Sequence, residues 1–239
     1  SYATLEASGP AVGQEQGMVG NSEVGHTIIG AGFIPSTSLQ RINRAYEDGT
    51  WSQHAAWQLL VGSRRVHVIG LLSDAGVHGY WRTIRQAAEL ASANCPTSEV
   101  VIHLLLDGVD SKAGTAQRLL SHFDDSAHSV GLIMGRKWFC DRSGDLSQTQ
   151  QFVDALTGVS ELPGFGVEAL QAHIAASSES SFPPHKAGGS LVKPGEPVLF
   201  TAHRSDRAQQ AARALSQVGP VFSLIDLDSA VPADQVFFP

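Results

Sequence analysis

Ser22 lies in GNSEVGH (20–26), where a Gly-punctuated stretch gives way to a short segment able to begin a helix. There it reads either as an N-cap or as an exposed nucleophile. A serine hydroxyl is a weak nucleophile and needs an adjacent base or a metal ion. A second set of chemistry-bearing residues falls in four later loops: Asp74 with His78, Asp107 with Asp110, Arg136 with Arg142, and His203 with Arg204 and Arg207. Four arginines at one place are costly without an anion, because like charges repel strongly where the dielectric is low. A phosphate or carboxylate resolves that cost. Arg204 and Arg207, three apart at a helix start, share a face from which both reach one oxyanion. Asp110 is then a candidate acceptor for a hydroxyl proton, and His78 a proton donor or phosphate ligand. Structural roles are open to the same residues: Asp206 or Asp141 would pair the arginines, and Asp74 or Asp107 would cap a turn or helix. Cys140 reads as filler, and His103, inside an apolar run, as a satisfied core histidine.

These loops recur in one rhythm that sets what must position them. From about residue 62, a short apolar run is followed by a loop rich in Gly, Asp and Arg, then by an amphipathic stretch of helical period. The units are VHVIGLL (66–72) with a helix over 80–94, EVVIHLLL (99–106) with one over 115–123, and SVGLIMG (129–135) with one over 146–158. A helix over 167–178 leads into a Pro- and Gly-rich surface loop over 180–197, and VLFTAH (198–203) is followed by a helix over 207–218 and a last strand over 221–227. Runs such as VVIHLLL lack alternation and suit strands buried on both faces of a mainly parallel sheet flanked by helices, an α/β fold. Ligands of such sheets bind beyond the carboxyl ends of the strands, where all four loops fall. The first 62 residues carry no strand run. They contain the serine segment, a helix over 39–51, and a boundary near Ile34 to Ser36, where Pro35 disfavours helix at the residue before it.

The chain of 239 residues, 42% hydrophobic and 16% charged, can bury a large core and is not disordered. With 16 Lys and Arg against 23 Asp and Glu, its formal charge is −7. That balance argues against nucleic acid or a membrane surface as a partner held by bulk charge, so an anion must be caught locally. Two cysteines, Cys95 and Cys140, make no disulfide framework, which together with the lack of a signal peptide or an apolar span predicts a cytoplasmic protein. No H-E-x-x-H, C-x-x-C, Walker A or dinucleotide-binding glycine fingerprint occurs.

Six segments, TLEASGPAVGQEQGMVGNSEVGHTIIGAG (4–32), RINRAYEDGTW (41–51), GLLSDAGVH (70–78), LLDGVD (105–110), MGRKWFCDR (134–142) and HRSDRAQQ (203–210), closely resemble cofactor-independent phosphoglycerate mutase in order and spacing. The resemblance spans nearly the whole chain and weakens over 160–196 and after 218. It implies residues 1–34 as the serine-bearing segment of a phosphatase-like domain of the alkaline phosphatase superfamily, and 35–239 as the phosphotransferase domain. It implies Ser22 as the nucleophile, phosphorylated in the cycle, and as a ligand of two divalent ions, Mn2+ or Mg2+. It implies His78, Asp110, Arg136, Arg142, Arg204 and Arg207 as substrate-binding residues, with Asp110 also catalytic through the hydroxyl proton. The substrate is then 2- or 3-phosphoglycerate, no 2,3-bisphosphoglycerate is needed, the protein is a monomer, and domain closure hinges near Gly32 to Thr37 and near the C-terminal end.

The family's other metal ligands have no counterpart here, and the chain opens on Ser1. The resemblance therefore implies a fragment or trimmed product that binds phosphoglycerate-like anions and is inactive without its metal-binding half. Where the family has Arg before the matching Asp, this sequence has Val109, which removes one contact worth about 1.5–3 kcal/mol. Two other readings stay open: a relative in specialised metabolism that moves a phosphoryl or phosphonate-type group to a phosphoglycerate-like acceptor, and a non-catalytic module that binds phosphorylated acids.

Overall fold

In the computed structural model, the described residues are 2–124, 127–139, 146–164, 172–174 and 178–239, with the side chains of Glu23 and Arg207 left aside. The apolar runs form strands β1 (Arg65–Leu72), β2 (Glu99–Leu106) and β3 (Ser129–Gly135), followed by β4 (His185–Lys186), β5 (Val198–Phe200), β6 (Val221–Ile225) and β7 (Val236–Phe238). They make one sheet in the order β4-β3-β2-β1-β5-β6-β7, parallel throughout except for β4 on the edge. All eight residues of β1 are buried, as a strand covered on both faces requires. Val66, Val68 and Leu72 pack with the helix α3 (Trp81–Asn94), through Ile84, Ala87, Ala88 and Ala91, and with α4 (Thr115–Asp124). Ile69 and Leu71 face the opposite way, towards α5 (Leu146–Thr157) and α6 (Ser205–Leu215). Burying a Leu or Ile on either face contributes about 1.5–3 kcal/mol, which makes the sheet a firm platform for its loops.

Chain order fixes where the loops open. From β1 the chain moves outward through β2 and β3, then returns to the other side of β1 with β5 and continues to β6 and β7. The reversal lies between β1 and β5, so the connections leaving their carboxyl ends run in opposite directions and leave a crevice.

Ahead of the sheet stand the helices α1 (Ser22–Ala31) and α2 (Ser38–Glu47). A reciprocal capping box starts α2: Thr37 Oγ1 accepts from the Gln40 amide, and Gln40 Oε1 accepts from the Thr37 amide, both at 3.3 Å. The helix ends at Glu47, short of the 39–51 expected, because two 3-10 turns (Trp51–Gln53 and Ala55–Leu59) follow and bury Trp51 and Trp57. These rings pack against Phe237 at the far end of the chain, and Arg41 Nη2 donates to the Pro239 carbonyl at 2.9 Å.

Three other expectations need correction. Residues 180–197 are not a plain surface loop: Phe182, His185, Val192 and Glu196 are buried, and β4 lies within the segment. The strand over 221–227 is not the last, since Phe237 anchors β7 beside it. The run expected over 198–203 is a strand only to Phe200. The helix expected over 167–178 falls largely outside the described residues, with 172–174 helical. His103 is buried in the core, but among the described residues only its Nε2 is partnered, by His67 Nδ1 at 2.9 Å. His67 Nε2 in turn meets Glu196, which also pairs with Arg65.

Candidate functional site

The loops leaving β1, β2, β3 and β5 meet over the crevice between β1 and β5. Asp107, the first residue after β2, organises them. It is wholly buried, and its carboxylate accepts from the amides of Val109, Asp110 and Ser111 at 3.1–3.2 Å, from Ser73 Oγ at 2.5 Å and from Arg136 Nη1 at 2.5 Å. Burial alone would push its pKa up. The Ser73 hydroxyl, the Arg136 guanidinium and the Asp110 amide outweigh burial and hold the carboxyl below the usual carboxylate range. A turn folded around one aspartate thus presents Asp110, whose side chain is one quarter exposed.

Arg136, directly after β3, is buried, and the same Nη1 that meets Asp107 lies 2.5 Å from Asp110 Oδ2. On the other side of Asp110, His78 Nε2 stands 3.6 Å from Oδ2. His78 is buried, and burial, reinforced by the charges of Arg136 and Arg204, lowers its pKa to about 4. It is therefore neutral near pH 7 and serves as a hydrogen-bonding group with one donor and one acceptor nitrogen. The His203 amide donates to the His78 carbonyl at 2.9 Å, tying the β1 loop to the β5 loop across the crevice. Next along, Arg204 occupies the N-cap position of α6 and reaches Asp206 Oδ2 at 3.0 Å.

Asp110, Arg136, His78 and Arg204 therefore stand on four loops at one sheet edge. Arg207 lies in the first turn of α6, beside Arg204, and nothing is described of its side chain. Arg142, Cys140 and Asp141 fall outside the described residues. The two site arginines whose side chains are described are not bare charges: Asp107 and Asp110 stand against Arg136, and Asp206 against Arg204, the pairing left open above. The structural alternative for Asp107, a turn cap, is what is observed. Asp74 lies on the rim and pairs with Arg118 at 2.6 Å, across a groove of about 570 Å³ that also touches Asp110 and Lys112.

Ser22 is held differently. Asn21, not Ser22, caps α1, its Oδ1 accepting from the Val24 amide at 3.1 Å. Ser22 is the first helical residue and is exposed. Its Oγ lies 3.3 Å from His26 Nδ1, but that nitrogen is also 2.6 Å from the Ser22 carbonyl. A carbonyl only accepts, so Nδ1 carries the proton and cannot take one from the serine. The segment is joined to the sheet unit by Met18, buried against Gly76 and Leu39, and by Asn43 Nδ2 donating to Glu15 at 3.1 Å. Among the described residues no three His, Cys, Asp or Glu side chains gather to hold a metal ion. Among the described side chains, Ser22 and His26 together fall short of a ligand set, so the described residues alone do not make a metal centre.

Sequence reading singled out Asp110, His78 and the arginines by residue type but missed that Asp107 and Ser73 assemble them. An Asp followed by Gly at a strand end was the available signal, since that pair favours a turn closed on the aspartate. Glu179, buried beneath the β2 loop, carried no such signal because the amides it binds are Gly114 and Ala116, far away in sequence.

Comparison with known proteins places this geometry in context. A family model described as BPG-independent PGAM N-terminus (iPGM_N) matches residues 42–231. A 2,3-bisphosphoglycerate-independent phosphoglycerate mutase of Vibrio campbellii is 33% identical over 228 residues, 88% of this chain and 44% of that protein. Its counterpart in Aliivibrio fischeri is 33% identical over 227 residues, 87% of this chain and 44% of that protein. A crystal structure of Leishmania mexicana phosphoglycerate mutase, at low cobalt concentration, has the same fold with a TM-score of 0.78 at 23% identity, covering 92% of this chain and 46% of that one. The chain thus spans less than half the length of the relatives it matches.

Proposed function

The chain belongs to the BPG-independent phosphoglycerate mutase family, matching its N-terminal part, and from that premise we propose that it is the substrate-holding portion of an enzyme interconverting 2- and 3-phosphoglycerate through a phosphoserine at Ser22. The observation that carries the reading is the convergence of Asp110, Arg136, His78 and Arg204 from four strand-end loops on the crevice beside β1. Residues 35–239 are then the phosphotransferase domain, and 1–34 belong to the domain that completes the metal site. Two divalent ions, Mn2+ or Mg2+, are held mainly by that other part.

The pairing of Arg136 gives binding a direction. With no substrate, the Asp110 carboxylate satisfies the guanidinium. An incoming phosphate or carboxylate competes for the same N–H groups, with Arg204, Arg142 and Arg207 as further cations. As Arg136 turns to the anion, Asp110 Oδ2 is released to accept the proton of a glycerate hydroxyl, while neutral His78 holds a substrate oxygen. The hydroxyl oxygen then bonds to the phosphorus held on Ser22 as the phosphorus–Oγ bond breaks, and Oγ regains the proton it lost when it first took the phosphoryl group from the substrate.

The test is titration of 3-phosphoglycerate, with sulfate as competitor, into residues 1–239 and into the longest natural chain, followed by a mutase assay of both with manganese. Selective binding by both and turnover by the longer chain alone are expected. Turnover by residues 1–239, or binding no better than sulfate, sinks the reading. One observation favours a second reading: Val109 is 61% exposed beside Asp110, an apolar lip on an anion site. If the longer chain binds phosphoglycerate but interconverts neither isomer, transfer of a phosphoryl or phosphonate-type group to a phosphoglycerate-like acceptor becomes the better account.

A further inference from the structure

Glu179 begins a short helical turn, Glu179–Ser181, inside the segment expected to be a surface loop, yet it is only 6% exposed. Its Oε1 accepts from the amides of Gly114 at 2.8 Å and Ala116 at 3.3 Å, at the start of α4. Its Oε2 is shut away from solvent without a hydrogen-bond partner among the described residues. Leaving half a carboxylate unsatisfied is expensive, so the position demands a return elsewhere. Burial raises its pKa, and Asp107 and Asp74 add to the rise against the pull of the two amides.

The return is in what the adjoining backbone touches. A Cβ on Gly108 would lie 2.7 Å from Glu179 Cβ and from the Ser180 amide nitrogen. A Cβ on Gly135 would lie 2.6 Å from the Phe182 amide nitrogen, and the Gly135 amide donates to the Phe182 carbonyl at 2.8 Å. Gly108 follows Asp107 and Gly135 precedes Arg136. Residues 179–182 are therefore wedged beneath the two loops that bring Arg136 within 2.5 Å of Asp110, at a closeness only glycine permits.

We propose that Glu179 is a positioning residue for the anion site: by fastening residues 179–182 to the start of α4, it sets the separation of Asp110 from Arg136. Resting on the functional reading above, this adds a residue that touches no substrate but controls the two that do. A side chain anchored across the sheet edge in this way is the kind of support that holds reacting groups within a fraction of an ångström.

The test measures 3-phosphoglycerate affinity in the longest natural chain carrying Glu179→Ala, Glu179→Gln or Arg136→Ala, with amide hydrogen exchange at Gly114 and Ala116. Glu179→Ala is expected to weaken binding about tenfold and to speed exchange at both amides. Glu179→Gln keeps an acceptor for them and should stay within about twofold of the parent. Combined with Asp110→Asn, Glu179→Ala should add almost nothing, since it acts through Asp110, whereas a general loss of stability would add in full. Should the alanine variant fail to fold, Glu179→Asp, too short to reach both amides, should weaken binding several-fold. Faster exchange with affinity unchanged, or full additivity with Asp110→Asn, overturns the proposal while Arg136→Ala still abolishes binding. If Arg136→Ala leaves affinity intact, the anion-site reading itself fails and this inference falls with it.

Discussion

Asp107 is wholly buried and held by Ser73, Arg136 and three backbone amides, whereas Ser22 stands exposed at the start of a helix with His26 beside its hydroxyl. The first lies at the carboxyl edge of a seven-stranded sheet, where each loop springs from a buried strand. The second lies on α1, where Ile29 is 83% exposed. Capture of an anion needs several groups at fixed separations, and such fixity comes from loops rooted in a core. Attack by a nucleophile needs one atom that can be approached, and an exposed helix start supplies it. The contrast divides the proposed reaction between a rigid holder and an accessible donor.

The sharpest way to break that contrast is Ser22→Ala. In the longest natural chain, turnover should fall by at least about 10⁴-fold. Affinity for 3-phosphoglycerate and the urea midpoint should stay put, within about 0.5 kcal/mol for an exposed site. A large loss of stability would mean that the serine is structural after all.

Asp107→Ala should do the reverse. It strips Arg136 of a buried partner and three amides of their acceptor, so unfolding in urea should show a loss of about 3–5 kcal/mol, with anion binding lost alongside. A loss below about 1 kcal/mol would show that the loops are held by something other than this carboxylate.

Acid should sharpen the comparison further. Burial lowers the folded-state pKa of both His78 and His203 to about 4, below the ordinary 6.5. The unfolded chain therefore takes up protons first. Stability present above pH 6.5 is lost as pH falls towards 4, by up to about 1.4 kcal/mol per pH unit for each histidine. Glu179, raised by burial, works in the opposite sense, and Asp107, lowered, adds its loss at still lower pH. His203, buried and with burial as the main cause of its shift, isolates the effect. His203→Leu should flatten the urea midpoint between pH 6.5 and 5, and an unchanged slope would count against buried neutral histidine as the cause. The smallest expected change is Val109→Arg, which should tighten 3-phosphoglycerate by about 0.5–1.5 kcal/mol, because the added guanidinium is exposed and screened. No gain would mean that position 109 does not face the bound anion.

The sheet was readable because VHVIGLL, EVVIHLLL and SVGLIMG are continuous apolar runs of strand length, each followed by a Gly- or Asp-bearing loop and a helical period. The edge strands were not: β4 spans two residues and β7 three, too short for any period, and both exist because neighbours offer unpaired backbone. In the site, Asp110, His78, Arg136 and Arg204 stood out by type and by place at strand ends. Their pairing did not, since Arg136 meets Asp107 and Asp110 across more than twenty residues. Glu179 was invisible for the same reason. Ser22 was legible as a residue of interest, either a cap or an exposed nucleophile, and which it was could not be read because Asn21 beside it is an equally good cap and is the one that caps α1.

The hydrogen bond from Arg41 to Pro239, with Trp51 set edge-on and Trp57 tilted against Phe237, brings the start of α2 and the end of β7 to one spot. On the proposed division at Pro35, the first helix of the phosphotransferase unit and residue 239 therefore lie side by side. If that unit closes on the serine segment as proposed, a few backbone rotations near Pro35 would turn it as one body, and the distances among Asp110, Arg136 and His78 would stay as they are. Travel and grip would then be uncoupled, and substitutions near Pro35 should alter how often the proposed holder meets Ser22 without altering what it holds.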